Sequence, residues 1–253
     1  MSSIALSALG AEKGTCLSHA LNKVWLQTGI QGEGEVFILE NLPNGLVALA
    51  CTGGEKGKYL SHALNKLWLQ DGIQGEGEMW ILHDKGNGNV ALECVGGESG
   101  KYLSHALKKM WLQNGYQGEG ELWAQKSTAA FESLGAEKGK FLSHALNKVW
   151  LQNGNQGAGE IFVLETLPNG HTALACTGGE TGKYLSHAQN RLWLQNGVQG
   201  EGEMWTAHDQ GSGNVAFECL GAESGKYLSH AFAKMWLQDG YQGEGELWAK
   251  RNA

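Results

Sequence analysis

Two prolines are all that the 253 residues contain, and no apolar run approaches the length of a membrane-spanning helix. With 42% hydrophobic residues, this composition excludes a disordered chain. The five cysteines, Cys16, Cys51, Cys94, Cys176 and Cys219, never form a Cys-x-x-Cys pair, so neither a zinc ribbon nor a dithiol redox motif is indicated. Four of them stand at one equivalent position of Ala-Leu-Ala-Cys or its variants and read as small core hydrophobes. Positive charge is also scarce: 19 Lys and Arg face 26 Asp and Glu, giving a net charge of −7. The cations are scattered singly, without the basic stripe of a phosphate-reading surface, which speaks against nucleic acid and against an electrostatic membrane anchor. Met1-Ser2-Ser3-Ile4 lacks the charged and apolar regions of a secretory signal, so a cytoplasmic location is expected, with leaderless secretion left open.

What is present is repetition. Leu-Ser-His-Ala, a short polar turn, an apolar residue, Trp-Leu-Gln and a Gln-Gly-x-Gly-Glu run recur six times, marked by His19, His62, His105, His144, His187 and His230. A period of about 42 residues denotes an array of supersecondary units. Copies one and four share Leu-Gly-Ala-Glu-Lys-Gly, copies two and five share Ala-Cys-Thr-Gly-Gly-Glu, and copies three and six share Glu-Ser-Gly-Lys-Tyr-Leu. Three plus three is therefore the organisation, with two domains expected at 1–126 and 127–253 and a short seam near Gln125-Lys126-Ser127-Thr128.

Within the third copy, Val90–Cys94 alternates as a half-buried strand, and Gly96–Gly100 forms a turn. Lys101–His105 and Met110–Gln113 form a hairpin closed by Ala106–Lys109, Tyr116–Gly120 is a loop, and Glu121–Ala124 is a fourth strand. Four short strands per copy predict an all-β protein with helix content near nil.

Gly-Lys-Tyr-Leu-Ser, the turn, the apolar-aromatic strand and the Glu-x-Trp/Phe strand resemble the repeat of β-trefoil proteins, most closely the fascin-like (actin-crosslinking) superfamily that includes hisactophilin. The resemblance covers nearly the whole chain and implies two tandem β-trefoils, each with six barrel strands and three capping hairpins. A six-bladed propeller is the rival architecture. Duplication of a finished three-repeat domain explains why copies one and four match better than one and two; a propeller does not.

The ten tryptophans, six in the third strand and four in the fourth, are expected to fill the core. For the histidines two readings stand. His105 shares strand parity with Leu103 and can point inward to bond a backbone carbonyl; alternatively the six imidazoles donate to ligand hydroxyls at the strand ends. The second glutamate of each Gly-x-Gly-Glu run reads as structural. The first, Glu33, Glu76, Glu119, Glu201 and Glu244, is replaced by Ala158 in the fourth copy and reads as exposed. Repeated carboxylate pairs argue against one asymmetric glycosidase centre, and one histidine per repeat supplies no local metal-ligand pair. No metal, cofactor or enzymatic activity is expected, since no nucleophile–base set is confined to a single copy.

Core packing accounts for the repeated Leu and Trp but leaves the repeated polar set unexplained. That set, with the six histidines, comprises Asn22, Asn65, Asn147, Asn190, Gln31, Gln74, Gln117, Gln156, Gln199, Gln242 and the five first glutamates. The expectation is a multivalent lectin with an equivalent shallow glycan site in each repeat. Filamentous actin is the alternative partner implied by the fascin-like resemblance. The sequence leaves the oligomeric state open.

Overall fold

The computed structural model describes residues 2–252, and among these residues it contains β-strands and short 3-10 turns but no α-helix. The chain divides into two compact units, Met1–Ser127 and Thr128–Ala253. The first unit holds β1 (Ser2–Ala8), β2 (Thr15–Ala20), β3 (Lys23–Thr28), β4 (Phe37–Asn41), β5 (Val47–Cys51), β6 (Lys58–Ala63), β7 (Lys66–Asp71), β8 (Trp80–Gly86), β9 (Asn89–Cys94), β10 (Lys101–Ala106), β11 (Lys109–Asn114) and the beginning of β12 (Trp123–Ser133).

Six of these strands close on themselves. β1 pairs with both β4 and β12, β4 with β5, β5 with β8, β8 with β9 and β9 with β12, all antiparallel. Closure pairs both edges of every barrel strand, the arrangement that protects a sheet from edge-to-edge association. The other six form the hairpins β2–β3, β6–β7 and β10–β11, whose second strands meet one another around a pseudo-threefold axis. Barrel and triple hairpin cap together define a β-trefoil; a propeller would hold separate radial sheets.

The second unit repeats the plan with the end of β12 and β13 (Lys140–Ala145), β14 (Lys148–Asn153), β15 (Ile161–Thr166), β16 (Thr172–Cys176), β17 (Lys183–Ala188), β18 (Arg191–Asn196), β19 (Trp205–Asp209), β20 (Asn214–Cys219), β21 (Lys226–Ala231), β22 (Lys234–Asp239) and β23 (Trp248–Arg251). Its barrel runs β12, β15, β16, β19, β20, β23 and back to β12. The short seam expected near residues 125–128 falls on extended backbone inside β12. The Gly-Gly-Glu and Glu-Gly-Glu segments, expected as irregular turns and loops, each close a single 3-10 turn.

The core of the first unit is layered in threes: Ile4, Val47 and Val90; Leu6, Leu49 and Leu92; Leu17, Leu60 and Leu103; Phe37, Trp80 and Trp123. Each large side chain so buried contributes roughly 1.5–3 kcal/mol. The second core has the same plan, with Phe162, Trp205 and Trp248 in the aromatic layer. The buried indoles also satisfy their polar edge, since Trp80 Nε1 donates to the Leu60 carbonyl at 3.2 Å and Trp123 Nε1 to that of Leu103 at 3.1 Å.

The tryptophans divide differently from expectation. The four on the fourth strand are fully buried, but Trp25 and Trp150 on the third are 37% and 36% exposed, and the remaining four are half-buried. Strand parity is the reason. Val24 and Leu26 take the positions against the core, so Trp25 stands on the opposite face, across from Ser18. Its indole N–H donates to the Gln27 side chain at 3.2 Å, and the other five copies make the same bond.

Because Phe37 and Phe162 fill the aromatic layer without an indole, Trp80→Phe is expected to fold and to cost about 1–2 kcal/mol. Trp80→Ala is expected to cost about 3–5 kcal/mol. Denaturant titration of both variants checks this ranking.

Candidate ligand grooves between successive repeats

Each capping hairpin closes through a two-residue turn. Ala20 pairs with Lys23, leaving Leu21 and Asn22 at the tip, both at positive φ (50° and 60°). Two consecutive left-handed residues make the type I′ turn that suits the strand twist, for which Asn-Gly is the favoured pair. Here the first position holds Leu21, Leu64, Leu107, Leu146, Gln189 and Phe232. A non-glycine residue in this region carries roughly 1–2 kcal/mol of strain. The five apolar members are 84–89% exposed, so burial does not offset that strain.

A carboxylate from the next repeat holds the tip. The Asn22 backbone N–H donates to Glu55 Oε1 at 3.1 Å, and Asn65 donates to Glu98 in the same way. The third tip closes the cycle: the Lys108 N–H donates to Glu12 at 3.0 Å. In the second unit Asn147, Asn190 and Ala233 donate to Glu180, Glu223 and Glu137. Lys58 then bridges Glu55 and the Asn22 side-chain oxygen, as Lys101, Lys183 and Lys226 do for Asn65, Asn147 and Asn190. The Lys58 hydrogen bond, followed by the Asn22 amide, lowers the Glu55 pKa below the ordinary carboxylate range. The asparagines expected to contact ligand therefore have their side-chain oxygens engaged in the scaffold.

The glutamines and second glutamates form another internal network. Ser18 Oγ donates to Glu35 Oε1 at 2.5 Å, while the Gln31 and Gly32 amides donate to Oε2 at 2.9 and 3.0 Å. Glu35 is 4% exposed, and three donors satisfy its buried charge. The side-chain amide of Gln31 donates back to the Thr28 carbonyl, and Gln74, Gln117, Gln156, Gln199 and Gln242 make the equivalent bond. Gly34 is required by close approach, since a Cβ there would lie 3.1 Å from the His19 carbonyl oxygen.

The six histidines are corrected from ligand contacts to scaffold. His19, His62, His105, His144, His187 and His230 are only 1–2% exposed, and each Nε2–H donates to a backbone carbonyl, that of Val36 at 3.0 Å in the first copy. Each ring packs edge-on against the aromatic layer, His62 against Trp80 at 4.5 Å between centroids. Burial lowers the pKa of His19, His62, His144, His187 and His230, opposed in part by these carbonyl bonds.

Of the expected site residues, the first glutamates remain at the surface. Glu33 reaches the turn of the next repeat, where a Cβ on Gly53 (φ +59°) would lie 2.5 Å from its carboxylate. Glu76, Glu119, Glu201 and Glu244 lie likewise on Gly96, Gly10, Gly221 and Gly135. None of these five carboxylates has a partner among the described residues. In the first copy, Leu21, Glu33, Thr52, Gly54 and Glu55 border an open groove of about 320 Å³. The arrangement joins an exposed apolar tip and an unpaired carboxylate, with His19, Thr52 and the glycines Gly34 and Gly54 also lining the groove. The first tip residues, Leu21 and its equivalents, and the anchoring Glu12, Glu55, Glu98, Glu137, Glu180 and Glu223 are not among the residues the sequence singles out, although a leucine in a tight hairpin turn is a visible signal.

No family model matches the chain, and no curated protein matches it. Among solved structures, a mosquitocidal holotoxin aligns over 99% of this chain and 33% of its own, at 11% identity and a TM-score of 0.45. This chain thus spans about a third of that protein's length. SeviL bound to asialo-GM1 saccharide aligns over 49% of this chain and 96% of its own, at 16% identity and a TM-score of 0.41.

The buried histidines generate a pH prediction. The folded-state pKa of His19, His62, His144, His187 and His230 lies below the unfolded value of about 6.5, so the contribution of these five to stability is complete above that pH. Below it the unfolded chain takes up protons that the folded chain refuses, and stability falls toward the lowered pKa by at most about 1.4 kcal/mol per pH unit per histidine. Unfolding free energies measured from about pH 8 to about pH 5 should decline through the lower half of that range. A flat profile would contradict the burial of the rings.

Proposed function

We propose that this is a non-enzymatic, multivalent carbohydrate-binding protein, a lectin whose sites are the grooves between each hairpin tip and the neighbouring turn. The observation that carries the reading is Leu21, held exposed on strained backbone beside the unpaired Glu33 carboxylate. Neither turn preference nor packing calls for leucine there, and strain is retained where function uses it. The C–H face of a pyranose fits an isobutyl group, and a neighbouring pair of hydroxyls donates to a carboxylate. Those are the few convergent polar groups and the apolar contact that a shallow site needs.

Departures between the copies set the valency. Apolar tip and carboxylate occur together in copies one, two, three and six, as Leu21–Glu33, Leu64–Glu76, Leu107–Glu119 and Phe232–Glu244. The fourth copy has Ala158 in place of the glutamate, and the fifth has Gln189 at the tip. Four complete sites on one chain raise avidity by linkage, by as much as ~10²–10⁴ over a single site.

A broad glycan array probed with the whole chain, followed by calorimetry on the best glycan, tests the reading; about four equivalent sites are expected. Silence on the array together with saturable pelleting on filamentous actin would replace it with the fascin-like alternative. The variant carrying Leu21→Gly, Leu64→Gly, Leu107→Gly and Phe232→Gly should lose glycan binding. Its stability should be unchanged or higher by up to about 1 kcal/mol per site, because glycine relieves the positive φ.

A further inference from the structure

The cap of the first unit carries a second feature that the grooves do not use. Around the pseudo-threefold axis the hairpins enclose an open cavity of about 450 Å³. Val24, Leu67 and Met110 pack against the core beneath it, Trp25 and Trp111 line it, and Lys66, Lys108 and Lys109 supply its charge. No carboxylate lines the cavity. The three ammonium groups have no hydrogen-bond or ion-pair partner among the described residues, although the backbone N–H of Lys108 is held by Glu12. In a chain of net charge −7, three lysines line this one cavity and no carboxylate offsets them there.

Two further observations point to a ligand. Lysines that serve the scaffold here are paired: Lys58, Lys101, Lys140, Lys183 and Lys226 each bridge to a glutamate three residues away. Those at the cap are not. Trp25 is also more than a third exposed although it is the largest side chain type available for burial. Its N–H is satisfied by Gln27, which leaves the indole as an apolar wall.

We propose that this cavity binds an anionic saccharide, with a sulfate or carboxylate group held by Lys66, Lys108 and Lys109 and a sugar face against Trp25 or Trp111. Leu21 and Glu33 of the first groove do not line this cavity, so different substitutions test the two readings. Basic residues clustered about one point bind anions through charge-assisted hydrogen bonds, which weaken as salt rises.

The test uses the full-length chain and a heparin-derived sulfated tetrasaccharide, its desulfated counterpart and inorganic sulfate as probes, followed by tryptophan fluorescence and calorimetry. The sulfated sugar should bind and shift the fluorescence, the desulfated sugar should bind far more weakly, and raised salt should weaken binding. Lys66→Gln and Lys109→Gln should each reduce affinity on the order of tenfold, with an unchanged melting temperature. Leu21→Gly, which disables a groove, should leave this binding intact. Equal binding of sulfated and desulfated sugars, or affinity unaffected by Lys66→Gln and Lys109→Gln together, would overturn the proposal. Binding of inorganic sulfate as tight as that of the tetrasaccharide would overturn its saccharide part.

Discussion

One hydrogen bond organises each cap: a glutamate in the opening turn of one repeat accepts the backbone N–H at the hairpin tip of the repeat before it. The cycle returns from the third repeat to the first, so no hairpin in the unit is fixed by its own residues alone. A left-handed tip with a leucine would otherwise have open alternatives, since an isolated two-stranded hairpin is marginal in water. The carboxylate removes them. It makes the tip conformation a property of the whole threefold cycle and leaves the first tip residue available to do something other than stabilise the turn.

The polar residues of the repeat follow from this arrangement. Ser18 and the Gln31 and Gly32 amides neutralise the buried Glu35, Gly34 permits its loop to lie against the His19 carbonyl, and His19 ties the same hairpin to Val36. Each of these groups is buried or committed to a neighbour, and replacing one strands another in a low-dielectric setting. Repetition of His, Gln and Glu is therefore a structural requirement met six times over. The residues that vary between copies, such as Gln189, Ala158 and Lys108, mark the surface where the copies differ in what they offer a ligand.

Much of the fold was legible in the sequence. The period, the three-plus-three matching of copies and the alternating Val90–Cys94 pattern lead directly to strands and to a trefoil. The candidate site was less so. Local patterning shows that Ser-His-Ala-Leu-Asn-Lys must turn, but the partner of Asn22 is Glu55, 33 residues away in the next repeat, and no pattern within one copy reveals it. For the histidines the inward one of the two readings is what the structure holds, but which carbonyl is bonded was not legible, since the Val36 carbonyl that His19 Nε2 reaches belongs to the far side of the same repeat. The third-strand tryptophans did mislead. Their size suggests burial, yet Val24 and Leu26 on the alternate positions had already claimed the core face.

Amide hydrogen exchange at the tips tests the inter-repeat lock most directly. Asn22, Asn65 and Lys108 lie on exposed turns, where an unheld N–H exchanges nearly as fast as in an unstructured peptide. With Glu55, Glu98 and Glu12 as acceptors, these three amides should exchange far more slowly, and Glu55→Gln should accelerate exchange at Asn22 more than at Asn65. Fast exchange at all three tips in the unmodified protein would contradict the account.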